Sequence, residues 1–183
     1  MEYINTHIPD VTIIEPTVFG DDRGFFMETF RENEFNEKCV KRKFLQENHS
    51  KSRQGILRGL HYQLKNTQGK LVRVISGKVF DVAVDMRQSS NTFGQWVGVE
   101  LSDENKRQLW VPEGFAHGFY VMSESAEFVY KCTNYYAPEH EKSLRWDDET
   151  LAIDWPLVNG DTPLLSDKDK NADSWDRATF FAN

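Results

Sequence analysis

The 183-residue sequence contains only two cysteines, Cys39 and Cys132, and no Cys-x-x-Cys pair. This scarcity excludes a disulfide-stabilised scaffold and a zinc site built from paired cysteines, because both need more thiols at characteristic spacings. Thiols normally stay reduced in the cytoplasm, so we expect both side chains to be free and the protein to be cytoplasmic. The N-terminus also lacks the basic residues and the apolar run of a signal peptide.

Basic residues are in the minority, since 22 Lys and Arg stand against 29 Asp and Glu, for a formal net charge of -7. We therefore expect no nucleic-acid partner, because phosphate backbones are bound by broad basic surfaces. Apolar runs are all shorter than the roughly 18 residues that a membrane-spanning helix needs, so no membrane partner is expected. A small anionic ligand remains compatible with this composition if cations gather locally.

Aromatic residues, in contrast, make up 13% of the chain and lie in short segments of alternating polarity between turn residues. This pattern predicts an all-β sandwich or barrel in a single domain over 1–183. The expected strands cover residues 11–19, 43–50, 56–63, 70–76, 95–101, 108–111, 115–122 and 126–133.

Three further local features can be predicted. Pro16 indicates a sheet-edge position for its strand, because proline cannot donate to a strand ladder. The Ser76-Gly77 turn predicts a hairpin between strand 70–76 and the alternating residues 78–86. A short helix is expected within 28–39, and short helices and loops outside the sheets are expected from about Leu144 onward.

The stretch LRGLHYQLKNTQGKLVRV, from Leu57 to Val74, places a histidine and several cations within an apolar strand pattern. In a regular strand Arg58 and His61 would point to opposite faces of the sheet. A bulge at Gly59 would bring both side chains to one face, and glycine is a residue at which bulges occur. We therefore expect a bulge there if these two side chains share a site.

A second stretch, WVPEGFAHGFYVMS, contains Pro-x-Gly-x-x-His ending at His117 and resembles the second motif of the cupins, which are jelly-roll barrels. Metal-binding cupins carry His-x-His followed by Glu in their first motif, where this chain has His61-Tyr62-Gln63. Two histidines without a carboxylate make a poor metal site, so we expect no metal. The predicted fold is an all-β, cupin-type jelly-roll β-barrel with short peripheral helices.

A closer resemblance covers the chain from about Pro9 to Lys170. The segments FGDDRGFFMETF, FLQENHSKSRQGILRGLHYQ, QGKLVRVISGKVFDVAVDMR, FGQWVGVELS, LWVPEGFAHGFYVMSESAEFVYKCTNYY and LLSDKD resemble the dTDP-4-dehydrorhamnose 3,5-epimerase family. The resemblance implies a homodimeric enzyme without metal or other cofactor. It would invert C3 and C5 of the nucleotide sugar dTDP-4-dehydro-6-deoxy-D-glucose.

Four catalytic residues follow from the resemblance. His61 matches the base, and Asp169 matches the carboxylate that pairs with it. Tyr130 matches the proton donor on the opposite face of the sugar. Lys70 matches the cation that meets the C4 oxygen, where it would stabilise an enolate.

The resemblance also implies a set of substrate-binding residues, of which Arg23 and Arg58 suit the diphosphate because guanidinium groups bind phosphate through two hydrogen bonds. Alternation does not decide whether Phe25 or Phe26 faces the nucleotide, and we assign Phe26. The full set is Arg23, Phe26, Glu28, Gln46, Glu47, Asn48, Arg58, His117, Glu141 and Lys168.

Three other functions are compatible with parts of this pattern. A relative that epimerises a single carbon, or that uses another dTDP-4-keto sugar, would share the same deprotonating residues. A metal-dependent cupin oxygenase would need ligands that the motifs lack. A non-catalytic sugar-nucleotide-binding barrel would have no need for an acid and a base on opposite sides of its ligand.

Overall fold

The computed structural model describes residues 1–182, and its regular structure is almost entirely antiparallel β-sheet. Within these residues the strands are β1 (Glu2–Asn5), β2 (Thr12–Glu15), β3 (Val18–Asp21), β4 (Gly24–Met27), β5 (Gln46–Arg53), β6 (Leu57–Gln63), β7 (Lys70–Ser76), β8 (Lys78–Asp85), β9 (Trp96–Ser102), β10 (Gln108–Val111), β11 (Phe115–Val121), β12 (Ser125–Cys132) and β13 (Glu141–Ser143). The α-helices are α1 (Glu32–Lys38) and α2 (Asp167–Lys170).

Two facing sheets form the barrel. The six-stranded sheet has the order β1-β2-β10-β7-β12-β5, and the five-stranded sheet has the order β13-β6-β11-β8-β9. Their inner faces share one apolar core, in which Val72 and Phe128 of the first sheet pack with Val79 and Phe119 of the second. β3 and β4 form a separate two-stranded ribbon. The predicted all-β jelly roll is therefore confirmed.

Two of the local predictions were wrong. β7 and β8 do not form a hairpin, because β7 pairs with β10 and β12 whereas β8 pairs with β9 and β11. The Ser76-Gly77 turn instead carries the chain from one sheet to the other. Pro16 does not mark an edge strand, since it lies between β2 and β3, and β2 is flanked on both sides. A turn signal does not specify which sheet the next strand joins.

The peripheral elements are confirmed outside the sheets. α1 places Phe35 against Trp110 and Leu71 on the outer face of the six-stranded sheet. The chain after β13 covers the outer face of the five-stranded sheet, where Trp155 packs with Tyr120. Both cysteines are free. In the described part of the chain, helices are all too short or too polar to cross a membrane.

A bulge in β6 sets the inner surface of the barrel. His61 is the pairing partner of His117, but Arg58 is the partner of Phe119, so three steps along β6 match two steps along β11. The extra residue brings Arg58 and His61 to the same cavity. Gly59 has φ +132°, and a Cβ placed on it would lie 2.5 Å from the Gly118 Cα. The predicted bulge is therefore confirmed, and only glycine fits at this position.

We expect Gly59→Ala to destabilise the fold by about 2–4 kcal/mol, through an unfavourable backbone conformation and a clash with β11. Gly24→Ala is a matched control, because Gly24 has φ +128° and a methyl group added to it would have no atom within 4 Å. The free energy of unfolding of the control should fall by only about 1 kcal/mol. Urea denaturation followed by circular dichroism measures both values, and equal losses would contradict the role assigned to the β6–β11 contact.

Candidate functional site

A cavity of about 930 Å³ lies between the two sheets and is partly open to solvent. The structure brings most of the predicted site residues to this cavity. Those that line it are Gln46, Asn48, Arg58, His61, Lys70, His117, Tyr130, Glu141, Lys168 and Asp169.

His61 and Asp169 form a hydrogen-bonded pair in the wall of the cavity. The Nε2 atom of His61 lies 2.5 Å from Oδ1 of Asp169, and the Asp169 side chain is almost fully buried. Burial acts to raise the pKa of Asp169, but the hydrogen bonds from His61 and Ser166 outweigh it and keep the pKa below its usual range. An ionised acceptor fixes the Nε2–H tautomer, so that Nδ1 of His61 is free to take a proton.

Asp169 reaches this position because the segment around it is fixed at both ends. Leu164 exchanges backbone hydrogen bonds with Gly55 and Leu57 at the start of β6. Asp173 is bonded in the same way to Ser143 and Arg145 beside β13. Between these anchors, Ser166 caps the start of α2, and its Oγ accepts from the Asp169 backbone N–H. The charged sequence SDKD is therefore held against the cavity.

The opposite wall carries Tyr130 on β12 and Lys70 on β7, with the Lys70 Nζ 5.9 Å from the centre of the Tyr130 ring. Burial raises the pKa of Tyr130, so its hydroxyl keeps its proton at neutral pH. Burial also lowers the pKa of Lys70, with partial compensation from Cys132, Glu141 and Asp81. The two sheets thus present an imidazole and a protonated phenol to the cavity from opposite sides.

The mouth of the cavity combines cations with hydrogen-bonding groups. Arg58 Nε donates to Ser52 Oγ at 2.9 Å, which fixes the guanidinium on β6. Glu141 accepts from Lys168 Nζ at 2.9 Å and from the Tyr136 hydroxyl at 3.0 Å. Ser52 and Tyr136 carried no signal in the sequence, because short polar and aromatic residues are ordinary at strand ends and in loops.

Four predicted binding residues lie outside the cavity of this chain. Glu47 points to the other face of β5, because strand side chains alternate, and pairs with Lys131 at 3.0 Å. Arg23 and Phe26 lie on the β3–β4 ribbon with 89% of the Arg23 side chain and 71% of Phe26 exposed. Glu28 follows the ribbon and pairs with Arg31 at 2.8 Å.

Asp81 was not identified as a site residue from the sequence. It lies on the inner face of β8 with no exposed surface, and its carboxylate bonds to the ring of His117. The available signal was the position of an aspartate on an apolar face of an alternating strand. Such a residue needs a partner, because a buried charge without one is unstable.

The donor set does not favour a metal. Gln63, at the second histidine position of the cupin motif, uses its amide to bond the backbone of Asn66, Tyr135 and Ala137. It therefore holds the adjoining loops rather than offering a ligand to the cavity. Residues 1–182 contain no group of three or more His, Cys, Asp or Glu side chains that could hold a metal ion.

Comparison with known proteins agrees with this geometry. The family model for dTDP-4-dehydrorhamnose 3,5-epimerase matches residues 5–177. The epimerase of Shigella flexneri is 60% identical over 184 residues, covering 99% of both chains. The Neisseria gonorrhoeae epimerase is 58% identical over 178 residues, which are 97% of this chain, and the chain spans 54% of the length of that relative.

A solved structure is also closely similar. The dTDP-6-deoxy-D-glucose-3,5-epimerase of Legionella pneumophila, in complex with dTDP-4-keto-L-rhamnose, superposes with a TM-score of 0.96 at 53% identity. The superposition covers 100% of this chain and 98% of the other. On the family match and these identities, the chain belongs to the dTDP-4-dehydrorhamnose 3,5-epimerase family.

Proposed function

We propose that this protein inverts C3 and C5 of dTDP-4-dehydro-6-deoxy-D-glucose to give dTDP-4-dehydro-L-rhamnose, as a step of dTDP-rhamnose biosynthesis. The observation that carries the proposal is the placement of His61 and Tyr130 on facing sheets of one cavity. Inversion at a carbon requires that a proton leaves one face and another arrives at the opposite face. A site that only binds its ligand has no need of this arrangement.

The four predicted catalytic residues then have defined roles. C3 and C5 both flank the C4 ketone, so removal of a proton from either carbon gives an enolate with its charge on the C4 oxygen. Nδ1 of His61 takes the proton, and Asp169 stabilises the imidazolium that results. Lys70 stabilises the enolate oxygen, and Tyr130 returns a proton from the other wall.

The mouth of the cavity suits the nucleotide part of the substrate. Arg58 and Lys168 lie where a diphosphate can receive charge-assisted hydrogen bonds, which agrees with local cations on a chain of net charge -7. Gln46 and Asn48 offer amide groups from β5 on the same side. The nucleotide would then occupy the open end, with the sugar deeper between the sheets.

We further propose that the active unit is a homodimer in which the β3–β4 ribbon serves the cavity of a second copy. Phe19 and Phe26 are directly paired on one face of the ribbon and are both exposed. Phe25 is exposed as well, but the Lys106 Nζ lies 4.2 Å from the centre of its ring. An exposed apolar pair beside Arg23 is suited to a base and a phosphate. This supports Phe26, rather than Phe25, as the nucleotide contact.

A cytoplasmic location is part of the same proposal. Two free thiols are the normal state of cysteine in that compartment, and Cys132 is fully buried below the site.

Incubation in D2O without added metal, followed by NMR of the sugar ring, tests the reaction. We expect deuterium at both C3 and C5, and a reductase with NADPH should trap the L-configured product. His61→Asn should slow both exchanges by about 10²–10⁴-fold, because it removes the base while keeping the side-chain shape. Exchange at one carbon alone would identify a single-carbon epimerase, and no exchange in the folded wild type would refute the proposal.

Tyr130→Phe separates the acid from the base. The variant lacks the donor but keeps the His61–Asp169 pair, so net inversion should fall by about 10²-fold while exchange of the substrate's α-protons falls much less. Both rates can be read from one D2O time course by NMR. An equal loss of exchange and inversion would show that Tyr130 is not simply the proton donor.

Mixing two inactive variants tests the shared site. In a dimer with exchanged ribbons, Arg23→Ala/Phe26→Ala supplies an intact cavity and His61→Asn supplies an intact ribbon. Co-refolded equal mixtures should recover about a quarter of the wild-type rate, because about half of the dimers are mixed and each holds one intact site. Each variant refolded alone is the control, and a mixture no more active than the two controls would place the ribbon's role within its own chain.

A further inference from the structure

A second histidine–carboxylate pair adjoins the cavity, in which His117 is a predicted substrate-binding residue and Asp81 has no role in the proposed reaction. Nε2 of His117 lies 2.9 Å and 3.0 Å from the two carboxylate oxygens of Asp81. Both side chains are buried, and Asp81 has no exposed surface. His117 is the direct cross-strand partner of His61, so the two pairs stand side by side on the five-stranded sheet.

A buried carboxylate at this depth indicates a functional role, because an apolar side chain would fill the same space without the desolvation free energy that a charge loses. The neighbours of the pair on every packed element are known. The Phe128 ring of β12 stacks on the His117 ring with 6.2 Å between the two ring centres, and His61 lies on the adjacent strand. Lys70 of the opposite sheet is within electrostatic range of Asp81, which acts to raise the Lys70 pKa.

The geometry fixes how His117 faces the cavity. With both oxygens of Asp81 at Nε2, this nitrogen carries the proton and donates it. The other ring nitrogen, Nδ1, has no hydrogen-bond partner among residues 1–182, and His117 lines the cavity. A neutral ring held in this way presents a lone pair, and therefore an acceptor, to a ligand.

The chemistry of the sugar then limits what His117 can bind. In a 4-keto-6-deoxyhexose joined to diphosphate at C1, the C4 oxygen is a carbonyl acceptor, C6 is a methyl group and the C5 oxygen closes the ring. Only the hydroxyls at C2 and C3 can donate a hydrogen bond. An acceptor on the wall therefore recognises a hydroxyl and cannot bind the ketone.

We propose that Asp81 is a positioning residue that fixes the Nε2–H tautomer of His117, so that Nδ1 of His117 accepts from the C2 or C3 hydroxyl of the sugar. This rests on the proposed function for the identity of the ligand. The pair would select hydroxylated sugars and hold the ring with C3 and C5 in reach of His61. Asp81 itself would not touch the substrate.

A substrate-analogue cycle tests the contact. Asp81→Leu removes the acceptor for Nε2–H with little change in volume, and is assayed with the full substrate and with its 2-deoxy and 3-deoxy analogues, following exchange at C5. kcat/KM for the full substrate should fall about 10-fold or more. For the analogue that lacks the bound hydroxyl, wild type and variant should be equally slow.

A fall by the same factor on all three compounds would overturn the proposal, because it would show a structural or general electrostatic role. Asp148→Asn is the control, since Asp148 is also buried but bonds backbone N–H groups of Thr150 and Trp175 away from the cavity. The control should lower thermal stability while leaving the preference for the full substrate over its analogues unchanged.

A measurement on the substrate-free wild type separates this proposal from the proposed function. ¹⁵N NMR of histidine-labelled protein, with His117→Gln to assign the signal among the five histidines, reports which ring nitrogen carries a proton. Protonated Nε2 with bare Nδ1 at neutral pH is the expected result. A proton on Nδ1 would overturn the proposal whatever the enzyme turns over, and the measurement requires no folded Asp81 variant.

Discussion

The close contact between Gly59 of β6 and Gly118 of β11 is the constraint on which the site depends. Because neither residue has a side chain, the two backbones approach closely enough for β6 to hold one residue more than its partner. That extra residue reverses the alternation, so Arg58 and His61 face the cavity together. Without it, one of the two would point into the apolar layer outside the sheet.

The charges inside the barrel follow a common pattern. His61 is paired with Asp169 and His117 with Asp81, while Lys168 is paired with Glu141 at the exposed mouth. Pairing of this kind is needed because a charge in a low-dielectric interior is unstable alone. In both pairs the Nε2 atom of the histidine faces the carboxylate, which leaves Nδ1 for the ligand in the proposed reaction.

Much of the fold could be predicted from the sequence, since period-two alternation and turn residues mark short strands directly. The bulge could be predicted as well, because a glycine lies between two polar residues of one strand. The path of the chain between β7 and β8 could not be predicted, because a Ser-Gly turn has the same sequence whether the chain returns to the same sheet or crosses to the other. Strand pairing is a long-range property that local residues do not encode.

The same limit applies to the site, where His61 stands out in an apolar strand but Asp169 lies in a charged run whose burial depends on distant backbone anchors. Arg23 and Phe26 lie outside the cavity of this chain, and their proposed role depends on a second copy.

In the proposed reaction, Lys70 is the residue through which the interior would favour catalysis over simple binding. Burial lowers the pKa of Lys70, and attraction from Cys132, Glu141 and Asp81 offsets this effect only in part, so further negative charge beside Lys70 would be stabilising. An enolate oxygen would supply the missing negative charge, whereas the neutral ketone of the substrate would not. An interaction that strengthens as charge develops lowers the barrier rather than merely holding the substrate. In the proposed reaction, the cavity walls would therefore stabilise the enolate more than either sugar that it connects.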